Sequence, residues 1–449
     1  MDPARLRSEA LDIRESVVMG VAGTAPAFSA AAATATLIGA VGTRAPGSLL
    51  DCGLIMFGVA LAYMYLNRVN PNAGASYAWV RDEFGPVPGF LAGWALLVAS
   101  AVFMVSGSIP AATATLMLVS PASVNEPARV ALVAGAWFVI VSLVAMKGIK
   151  VASYTQVIMT GIEVVTLCVV VVAALVWHGG AAAHPFSWRW FSPEAFTPRS
   201  FANGAVTALF FFWGWDVTLN LTEETRDAVR APGRGALIAM AIVLFLFVSF
   251  VTGTLLSLTD GEIQKSGTNV VFAVAEKLFP KPWSYMAILA VMLSTIGTLE
   301  TSILQFTRTM YAQGRDRMLH PRYAAIHGRW QTPWIATLLI LFIGLSLLAL
   351  SSNFSTVDQI IRDSVNAIGF QVALYYGLAC AACAWRYRRS SPRNVASFAL
   401  QFVWPILSMG FLVFVALYSI PTFDATTIAV GLGGIAAGGV PLLVNRLRQ

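Results

Sequence analysis

Long apolar runs recur along the whole of this 449-residue sequence. Each extends over roughly 20 residues with few or no charges, which is the length that an α-helix needs to cross a ~30 Å hydrocarbon core. Only 11% of the residues are charged, against roughly 25% in soluble domains. The sequence therefore predicts an all-α polytopic membrane protein whose surface mostly faces lipid.

The apolar runs predict twelve transmembrane helices. The predicted spans are residues 16–41, 48–67, 86–119, 129–147, 152–177, 202–225, 235–258, 284–312, 333–351, 361–385, 397–419 and 425–444. A shorter segment, residues 268–279, has apolar residues at helical spacing but cannot span a bilayer. We expect it to form an amphipathic helix that lies over the external face.

The basic residues support an even number of spans. The chain carries 29 Lys and Arg against 22 Asp and Glu, for a net charge of +7. With both termini in the cytoplasm, most of the 29 fall in cytoplasmic loops, which is the bias that orients membrane proteins. We therefore expect a multi-pass protein of the cytoplasmic (inner) membrane, and we attribute the positive charge to orientation rather than to a nucleic acid partner.

The first predicted span contains its own helix breaker. Its residues 20–29 read GVAGTAPAFS. Pro26 lacks a backbone N–H and disfavours α geometry at Ala25, and Gly23 adds backbone freedom. Unwound backbone at membrane depth persists only where protein or water satisfies it. The break therefore predicts a cavity lining, although a simple kink would also account for these residues.

The sixth predicted span is disrupted in the same way. Gly214 lies in its middle and is followed by the polar residues Asp216 and Asn220. Interrupted helices at matching positions in two halves of a membrane protein indicate a transporter site. The two halves would each contain five helices, because the first and the sixth spans each open one half.

This interpretation divides the chain into six parts. They are a cytoplasmic N-terminal segment (1–15), a first five-helix repeat (16–177), an extracytoplasmic loop (178–201), a second five-helix repeat (202–385), a cytoplasmic loop (386–396), and two additional helices with a short tail (397–449).

Three segments resemble the amino acid–polyamine–organocation permeases. They are NPNAGASYAWVRDEFGPVPGFLAGW (70–94), GWDVTLNLTEETRDAVRAPGR (214–234) and TRTMYAQGRDRMLHPRYAAIHGRWQTPWIA (307–336). The resemblance implies a LeuT-type fold with a 5+5 inverted repeat, and secondary transport by alternating access. Relatives in this family include both monomers and homodimers.

The resemblance also implies a substrate site between the unwound parts of the first and sixth helices. Carried onto this sequence, the site residues are Gly23, Thr24, Ala25, Pro26, Phe210, Trp213, Gly214 and Trp215. Amino acid permeases often have a Gly-Ser-Gly-like first break whose free amides bind the substrate carboxylate. Here the stretch is GTAP, with free amides expected at its first three positions. The pattern MG-x-A-x-x-x-P (19–26) is closer to bacterial putrescine importers.

Three acidic residues within spans are candidates for proton coupling. In the family an acid at the position of Asp216 is often tied to coupling; the alternative role is to cap backbone N–H groups at the break. Glu163 occupies a place where many relatives have a Lys that stands in for sodium. It binds either a proton or a cationic substrate, or else only packs between helices. Glu300 either lines the inner pathway or pairs with an arginine of the internal loop, such as Arg308.

Other polar and aromatic groups near the sixth span have open interpretations. Glu223 and Glu224 lie near Arg226 and predict either a gate ion pair or a solvated helix end. The aromatic run Phe210–Phe212, with Trp213 and Trp215, could contact an alkyl chain or an ammonium group. Packing against lipid or other helices is the alternative, with some rings expected to point outward.

The leading hypothesis is an importer of amino acids or polyamines, driven by the proton gradient. Asp216 would bind the substrate's amine, and Asp216, Glu163 and Glu300 are the proton-coupling candidates. An amino acid/amine exchanger of the same fold is the alternative. We expect neither an enzyme nor a cofactor or metal site, because the sequence shows no metal-ligand spacing among its four histidines and no activated nucleophile.

Overall fold

The structure is a computed structural model that describes residues 5–124, 126–176, 182–192, 198–351, 357–389 and 395–448. Parts of the predicted segments 1–15, 178–201, 386–396 and 397–449 lie outside these residues.

Seven helices form the first part of the chain. They are α1 (Ile13–Thr24), α2 (Pro26–Val41), α3 (Ala45–Val69), α4 (Ser76–Phe84), α5 (Pro86–Val119), α6 (Pro127–Met146) and α7 (Ile149–Val176). Three of them begin at a proline, which fits the first helical turn because its missing N–H would have no helical partner there. The first helix begins with a capping box in which Asp12 and Glu15 each accept a hydrogen bond from the other's backbone N–H.

Thirteen more helical segments follow in the described part of the chain. They are α8 (Pro198–Phe211), α9 (Val217–Asn220), α10 (Ala231–Ser257), α11 (Asp260–Ser266), α12 (Val270–Leu278), α13 (Tyr285–Arg315), α14 (Trp334–Ser351), α15 (Val357–Tyr387), α16 (Val395–Phe398), α17 (Trp404–Ser419), α18 (Ala425–Ile428), α19 (Gly434–Ala436) and α20 (Gly439–Arg448). Single π-helical turns at Ala399–Val403 and Ala429–Gly433 interrupt the last two spans.

The all-α polytopic prediction is confirmed. Among the described residues, 10 stretches of helix are long and apolar enough to cross a membrane. One of them, Ile13–Val69, is 57 residues long and turns back near Gly42, so it contains two of the predicted spans. The predicted sixth span is not among the 10, because its break leaves only the short helices α8 and α9. These two facts reconcile the 10 stretches with the twelve predicted spans.

The helices α5 and α13 lie at the centre of the bundle. In the most apolar 18-residue stretch of each of these two helices 78% is buried, whereas in the corresponding stretches of α6 and α14 only 33% is buried. The outer helices expose large apolar side chains such as Leu132, Ile158 and Phe342, as expected for surfaces that face lipid. The division into two inverted five-helix repeats stays a prediction.

The predicted amphipathic helix at residues 268–279 is present as α12. Its buried residues Val270, Val271, Val274 and Ala275 form one face, and the helix packs against α2 and α13. Its apolar face is thus covered by protein, next to α2, which is the second half of the broken first span.

The N-terminal segment is joined to the chain that follows α9. Leu11 and Thr225 form an isolated parallel bridge. The backbone N–H groups of Ala10 and Leu11 donate to the carbonyl of Glu224 at 2.8 and 3.0 Å, and Arg226 N donates to the carbonyl of Leu11 at 2.8 Å. The start of α1 and the end of the sixth span are therefore held together by backbone hydrogen bonds.

Candidate functional site

The first span is broken at Ala25, as the sequence predicts. This residue has φ 47° and ψ 66°, in the left-handed region, and separates α1 from α2. Gly23 and Thr24 still belong to α1, and Pro26 is the first residue of α2. The prediction of free amides here is wrong, because the N–H of Ala25 donates to the carbonyl of Ala22 at 3.1 Å and residues inside a helix use theirs in the helical ladder.

The amides that the helix does not use lie instead at the N-terminus of α2, and both donate to side chains. The N–H of Ala27 donates to Oε1 of Glu163 at 2.9 Å, and the N–H of Phe28 donates to Oγ of Ser294 at 3.2 Å. The hydroxyl of Ser294 in turn donates to the same Glu163 oxygen at 2.6 Å. A carboxylate at a helix N-terminus is stabilised by the orphan N–H groups and the helix dipole. Glu163 therefore links α7, α13 and the first break.

The orphan carbonyls of α1 have side-chain partners as well. The hydroxyl of Thr298 donates to the carbonyl of Ala22 at 2.5 Å, and that of Ser29 donates to the carbonyl of Thr24 at 2.8 Å. With these bonds both ends of the break are satisfied by polar groups inside the bundle.

The sixth span is broken around Gly214, which has φ +100°. The helix α8 ends at Phe211, and α9 starts again only at Val217. The indole N–H of Trp215 donates to the carbonyl of Phe212 at 3.0 Å, so one of the carbonyls exposed by the break is satisfied locally. The positive φ explains the glycine, since an L side chain is strained in that conformation.

The two breaks touch each other through their backbones. A Cβ atom placed on Gly23 would overlap the carbonyl oxygen of Gly214, and a Cβ on Gly214 would overlap the carbonyl oxygen of Gly23. Gly20 lies one turn earlier on α1, where a Cβ would come within 2.7 Å of Ala239 on α10. Because Gly20 and Gly23 have no side chains, α1 can approach its neighbours closely, and the two unwound segments can meet.

Asp216 lies directly after this contact and is fully buried. The amide of Gln305 donates to its Oδ2 at 2.6 Å. Tyr376 donates to Oδ1 at 2.8 Å, and Tyr375 donates to Oδ2 at 3.2 Å. The indole N–H of Trp213 donates to the hydroxyl of Tyr375 at 2.8 Å and extends the network. Asp216 makes no side-chain capping bond to α9.

The aromatic residues of the sixth span are all buried. Phe210 packs edge-on against Phe28 of α2, and Trp213 against Phe103 of α5, with ring centroids 5.9 and 5.2 Å apart. Trp215 stacks on Tyr376 at 5.6 Å. The expectation that some of these rings point outward is wrong. Phe211 and Phe212, which sequence reasoning could not orient, both pack against Phe247 of α10.

Glu300 lies in α13 and contacts α7. The amide of Gln156 donates to Oε2 of Glu300 at 2.8 Å and to the carbonyl of Gly297 at 2.7 Å. Its carboxyl group does not pair with Arg308, so that alternative is wrong. Arg308 forms a bidentate ion pair with Glu224 instead, at 2.8 and 2.9 Å, and both side chains are buried.

A polar layer closes the end of the bundle near Glu224. Glu223 pairs with Arg315 at 3.0 Å and accepts a hydrogen bond from the N–H of Ala73. Asn220 donates to the carbonyl of Ala73 and to the hydroxyl of Thr309. Of the two readings of Glu223 and Glu224, the solvated helix end is wrong for Glu224, whose partner lies in α13.

A comparison with known protein families shows the family of this chain. The family profile described as "Amino acid permease" matches residues 16–437. The chain belongs to this family. It is therefore a membrane transporter of the amino acid–polyamine–organocation superfamily and not an enzyme.

Relatives of the permease are transporters of bacteria and mammals. The human large neutral amino acids transporter small subunit 2 is 25% identical over 393 residues, which cover 85% of the permease and 71% of the relative. The human b(0,+)-type amino acid transporter 1 is 24% identical over 335 residues, covering 73% and 65%. A transporter of Mycobacterium tuberculosis with no assigned substrate is 26% identical over 413 residues, covering 90% and 86%.

Sequence reasoning missed several groups that complete the site of the permease. They are Ser294, Gln305, Tyr375 and Tyr376, which supply the donors to Glu163 and Asp216. Gln305 could have been identified from the sequence, because a side-chain amide inside an apolar span needs a hydrogen-bond partner. The adjacent tyrosines carried a weaker one, because aromatic residues are common in such helices.

Proposed function

We propose that the permease imports amino acids or related amines across the cytoplasmic membrane by proton-coupled alternating access. The observation that carries the proposal is the position of Asp216. It is a buried carboxylate with neutral donors only, directly after the point where the broken first and sixth spans meet. A group of opposite charge that binds near it would be the substrate's ammonium group.

The surroundings of Asp216 favour a cation over an anion. Each carboxylate oxygen can accept about two hydrogen bonds, and among the side chains of the described residues only Tyr376 donates to Oδ1. The neighbouring rings of Trp213, Trp215 and Tyr376 offer π faces, which attract an ammonium group. No Lys or Arg occurs in the two breaks, residues 20–29 and 210–220. The substrate residues would be Gly23, Thr24, Ala25, Pro26, Phe210, Trp213, Gly214, Trp215 and Asp216.

Amino acids are the first substrate class to test. The names of the two human relatives state amino acid transport, one of them of large neutral amino acids. The apolar rings of Phe28, Phe103 and Phe210 beside the breaks suit an uncharged side chain. A polyamine such as putrescine has two ammonium groups and would need a second acidic partner.

Proton coupling would use the acids inside the spans. Asp216 and Glu163 lie at the two breaks, and Glu300 lies between α7 and α13. Each joins segments that an alternating-access cycle must separate. The surplus of Lys and Arg in the loops assigned to the cytoplasm supports a topology with both termini inside.

Uptake into proteoliposomes tests this function. A panel of labelled amino acids and labelled putrescine is supplied with and without an inward proton gradient. We expect gradient-stimulated uptake of an amino acid, and loss of at least 90% of it in Asp216→Asn, which keeps the side-chain shape but not the charge. Glu276→Gln is the matched control, because that acid is exposed on α12 and pairs only with Lys281.

Two outcomes would change the proposal. Uptake of putrescine alone would assign the site to polyamines. Uptake that requires internal substrate and ignores the proton gradient would make the permease an exchanger.

A further inference from the structure

Three of the buried acids, Asp216, Glu163 and Glu300, differ in how their oxygens are satisfied. Asp216 receives three hydrogen bonds from side chains. Glu163 receives two on one oxygen and lies at the N-terminus of a 16-residue helix. Glu300 receives one, from Gln156. Donors that point at a carboxylate favour its charged form, so the arrangement stabilises the anion at Asp216 and Glu163 more than at Glu300.

Two oxygens between α7 and α13 have no hydrogen-bond donor among the described residues. They are Oε1 of Glu300 and Oε1 of Gln156, and both are buried. An unpaired buried acceptor is energetically costly, because it has lost its hydrogen bonds to water. Because one amide hydrogen of Gln156 already binds the other oxygen of Glu300, the two unpaired oxygens belong to one hydrogen-bonded pair.

One proton would satisfy both oxygens. A carboxylic acid and a primary amide can form a ring in which the amide N–H donates to the acid's carbonyl oxygen and the acid O–H donates to the amide oxygen. The first of these bonds is present, from Nε2 of Gln156 to Oε2 of Glu300. The second requires a hydrogen on Oε1 of Glu300 and an approach of that oxygen to Oε1 of Gln156.

We propose that Glu300 is the proton-binding site of the permease, held as a neutral carboxylic acid by Gln156 in this conformation. Asp216 then stays charged to bind the substrate. This inference rests on the proposed proton-coupled transport and names the residue that carries the proton. The proton enters from external water, forms the O–H bond on Oε1, and is released to internal water when α7 and α13 separate.

The charged groups on the elements around α13 do not supply a counter-ion to Glu300. The helices α2, α5, α9 and α14 have none. Those on the other packed elements and on α13 itself are Arg14, Glu15, Arg81, Asp82, Glu83, Arg129, Lys150, Glu163, Glu276, Lys277, Arg308, Arg315 and Arg322.

Most of these charged groups have partners of their own. Lys150 is paired with Glu15, Arg81 with Asp316 and Asp82, Arg129 with Glu126, Lys277 with Glu262, and Arg315 with Glu223. Arg14 and Arg322 are exposed. Arg308 is eight residues from Glu300, about 12 Å along the helix, and is bound to Glu224.

Uncharged titratable groups on the same elements are also not bonded to Glu300. They are Tyr77, Tyr154, Cys168, Tyr285, Tyr311 and Tyr323. In the described part of the chain the carboxyl group of Glu300 has one hydrogen-bond partner, Gln156. An ionised Glu300 would therefore be a buried charge without a cation, which is costly.

Infrared difference spectroscopy of the reconstituted permease tests the protonation directly. A protonated carboxyl group has a C=O stretching band that a carboxylate lacks. We expect one such band at pH 7 that disappears in Glu300→Gln and persists in Glu163→Gln and Asp216→Asn. A band that remains in Glu300→Gln, or that disappears instead in Glu163→Gln, overturns the assignment.

A second variant keeps the proposal testable if Glu300→Gln fails to fold. Gln156→Leu keeps the carboxyl group but removes its amide partner, so the band should shift in frequency rather than vanish. An unshifted band would mean that Glu300 and Gln156 do not form the ring.

Transport assays separate this inference from the function on which it rests. In Glu300→Gln we expect uptake driven by the proton gradient to fall at least tenfold, while exchange of labelled for unlabelled substrate stays within twofold of wild type. Loss of both activities would make Glu300 structural and overturn the inference. If the wild type ignores the proton gradient, the proposed coupling fails, whereas the infrared band still reports whether Glu300 is protonated.

Discussion

Gly23 and Gly214 exclude side chains from each other at the centre of the bundle. A Cβ atom on either residue would overlap the carbonyl oxygen of the other. The backbone conformations of the two glycines differ. Gly214 has φ +100°, which favours glycine, whereas Gly23 has the ordinary conformation of a residue in α1. Only close approach therefore requires a glycine at position 23.

Gly23→Ala tests this contact without changing backbone strain. The added methyl group must push the two unwound segments apart, and overpacking of this kind typically costs 1–3 kcal/mol. We expect a lower thermal midpoint in detergent and a loss of substrate uptake of tenfold or more.

The matched control is Gly161→Ala in α7, where a Cβ meets no atom within 4 Å. That variant should keep uptake and stability, because alanine is the better helix former. Equal behaviour of the two variants would show that the contact between the breaks does not matter.

The buried pair of Glu224 and Arg308 predicts a stability pattern that single variants alone would not reveal. Removing one partner leaves a buried charge uncompensated, which costs roughly 3–5 kcal/mol. We expect Glu224→Leu and Arg308→Met each to lower the thermal midpoint strongly. The double variant Glu224→Leu/Arg308→Met should recover most of the loss, because apolar replacements of a buried pair are often neutral.

The comparison of single and double variants measures the coupling energy. An additive double variant would contradict the ion pair. If the double variant is stable but transports more slowly than wild type, the pair contributes to the closing of this end of the bundle as well as to folding.

The bridge between the N-terminal segment and the sixth span predicts a local effect on dynamics. Ala10→Pro removes the N–H that donates to the carbonyl of Glu224, a bond worth about 0.5–1.5 kcal/mol. Hydrogen exchange of residues 222–226 should accelerate by up to about tenfold, whereas Ala10→Ser, which keeps the N–H, should leave it unchanged. Unchanged exchange in both variants would mean that the bridge does not protect this end of the span.

The sequence was sufficient to predict where the spans break, because Pro26 and Gly214 act on the backbone next to them. It could not predict the partners of the polar groups. Asp216 binds Gln305, which is 89 residues away, and Tyr376, which is 160 residues away. Which face of a helix meets which neighbour depends on the packing of the whole bundle, and an apolar span shows little periodicity when it is buried on all sides.

The partner of Glu224 was likewise not predictable from the sequence, because it depends on how the helices pack. Arg226 is near Glu224 in sequence, but its side chain is exposed while its backbone N–H binds Leu11. Arg308 reaches Glu224 from another helix and is buried with it. Proximity in sequence was therefore misleading, since the buried charge had the stronger need for a partner.

The segment that contains α11 and α12 predicts a stability effect that depends on pH. Glu262 accepts hydrogen bonds from Lys277 at 2.6 Å and from the backbone N–H of Thr259 at 2.8 Å, which closes a capping box on α11. The hydrogen bond from Lys277, followed by those from Thr259, lowers the pKa of Glu262 from 4.5 to about 2. A lowered pKa means that the folded state favours the charged form, so this contribution is complete above about pH 4.5 and is lost as the pH falls toward 2.

We therefore expect Glu262→Gln to weaken the protection of α11 amides at pH 7 and to have a smaller effect at pH 3, because pH 3 lies between 4.5 and the folded pKa of about 2, where part of the contribution of the charged carboxylate is already lost. The side chains of Glu262 and Lys277 are 42% and 49% exposed, so solvent screening keeps the effect under about 1 kcal/mol. Hydrogen exchange of residues 260–266, corrected for the intrinsic rate at each pH, measures it. Glu276→Gln serves as the control on the neighbouring helix, and an equal effect of Glu262→Gln at both pH values would contradict the role of the charged carboxylate.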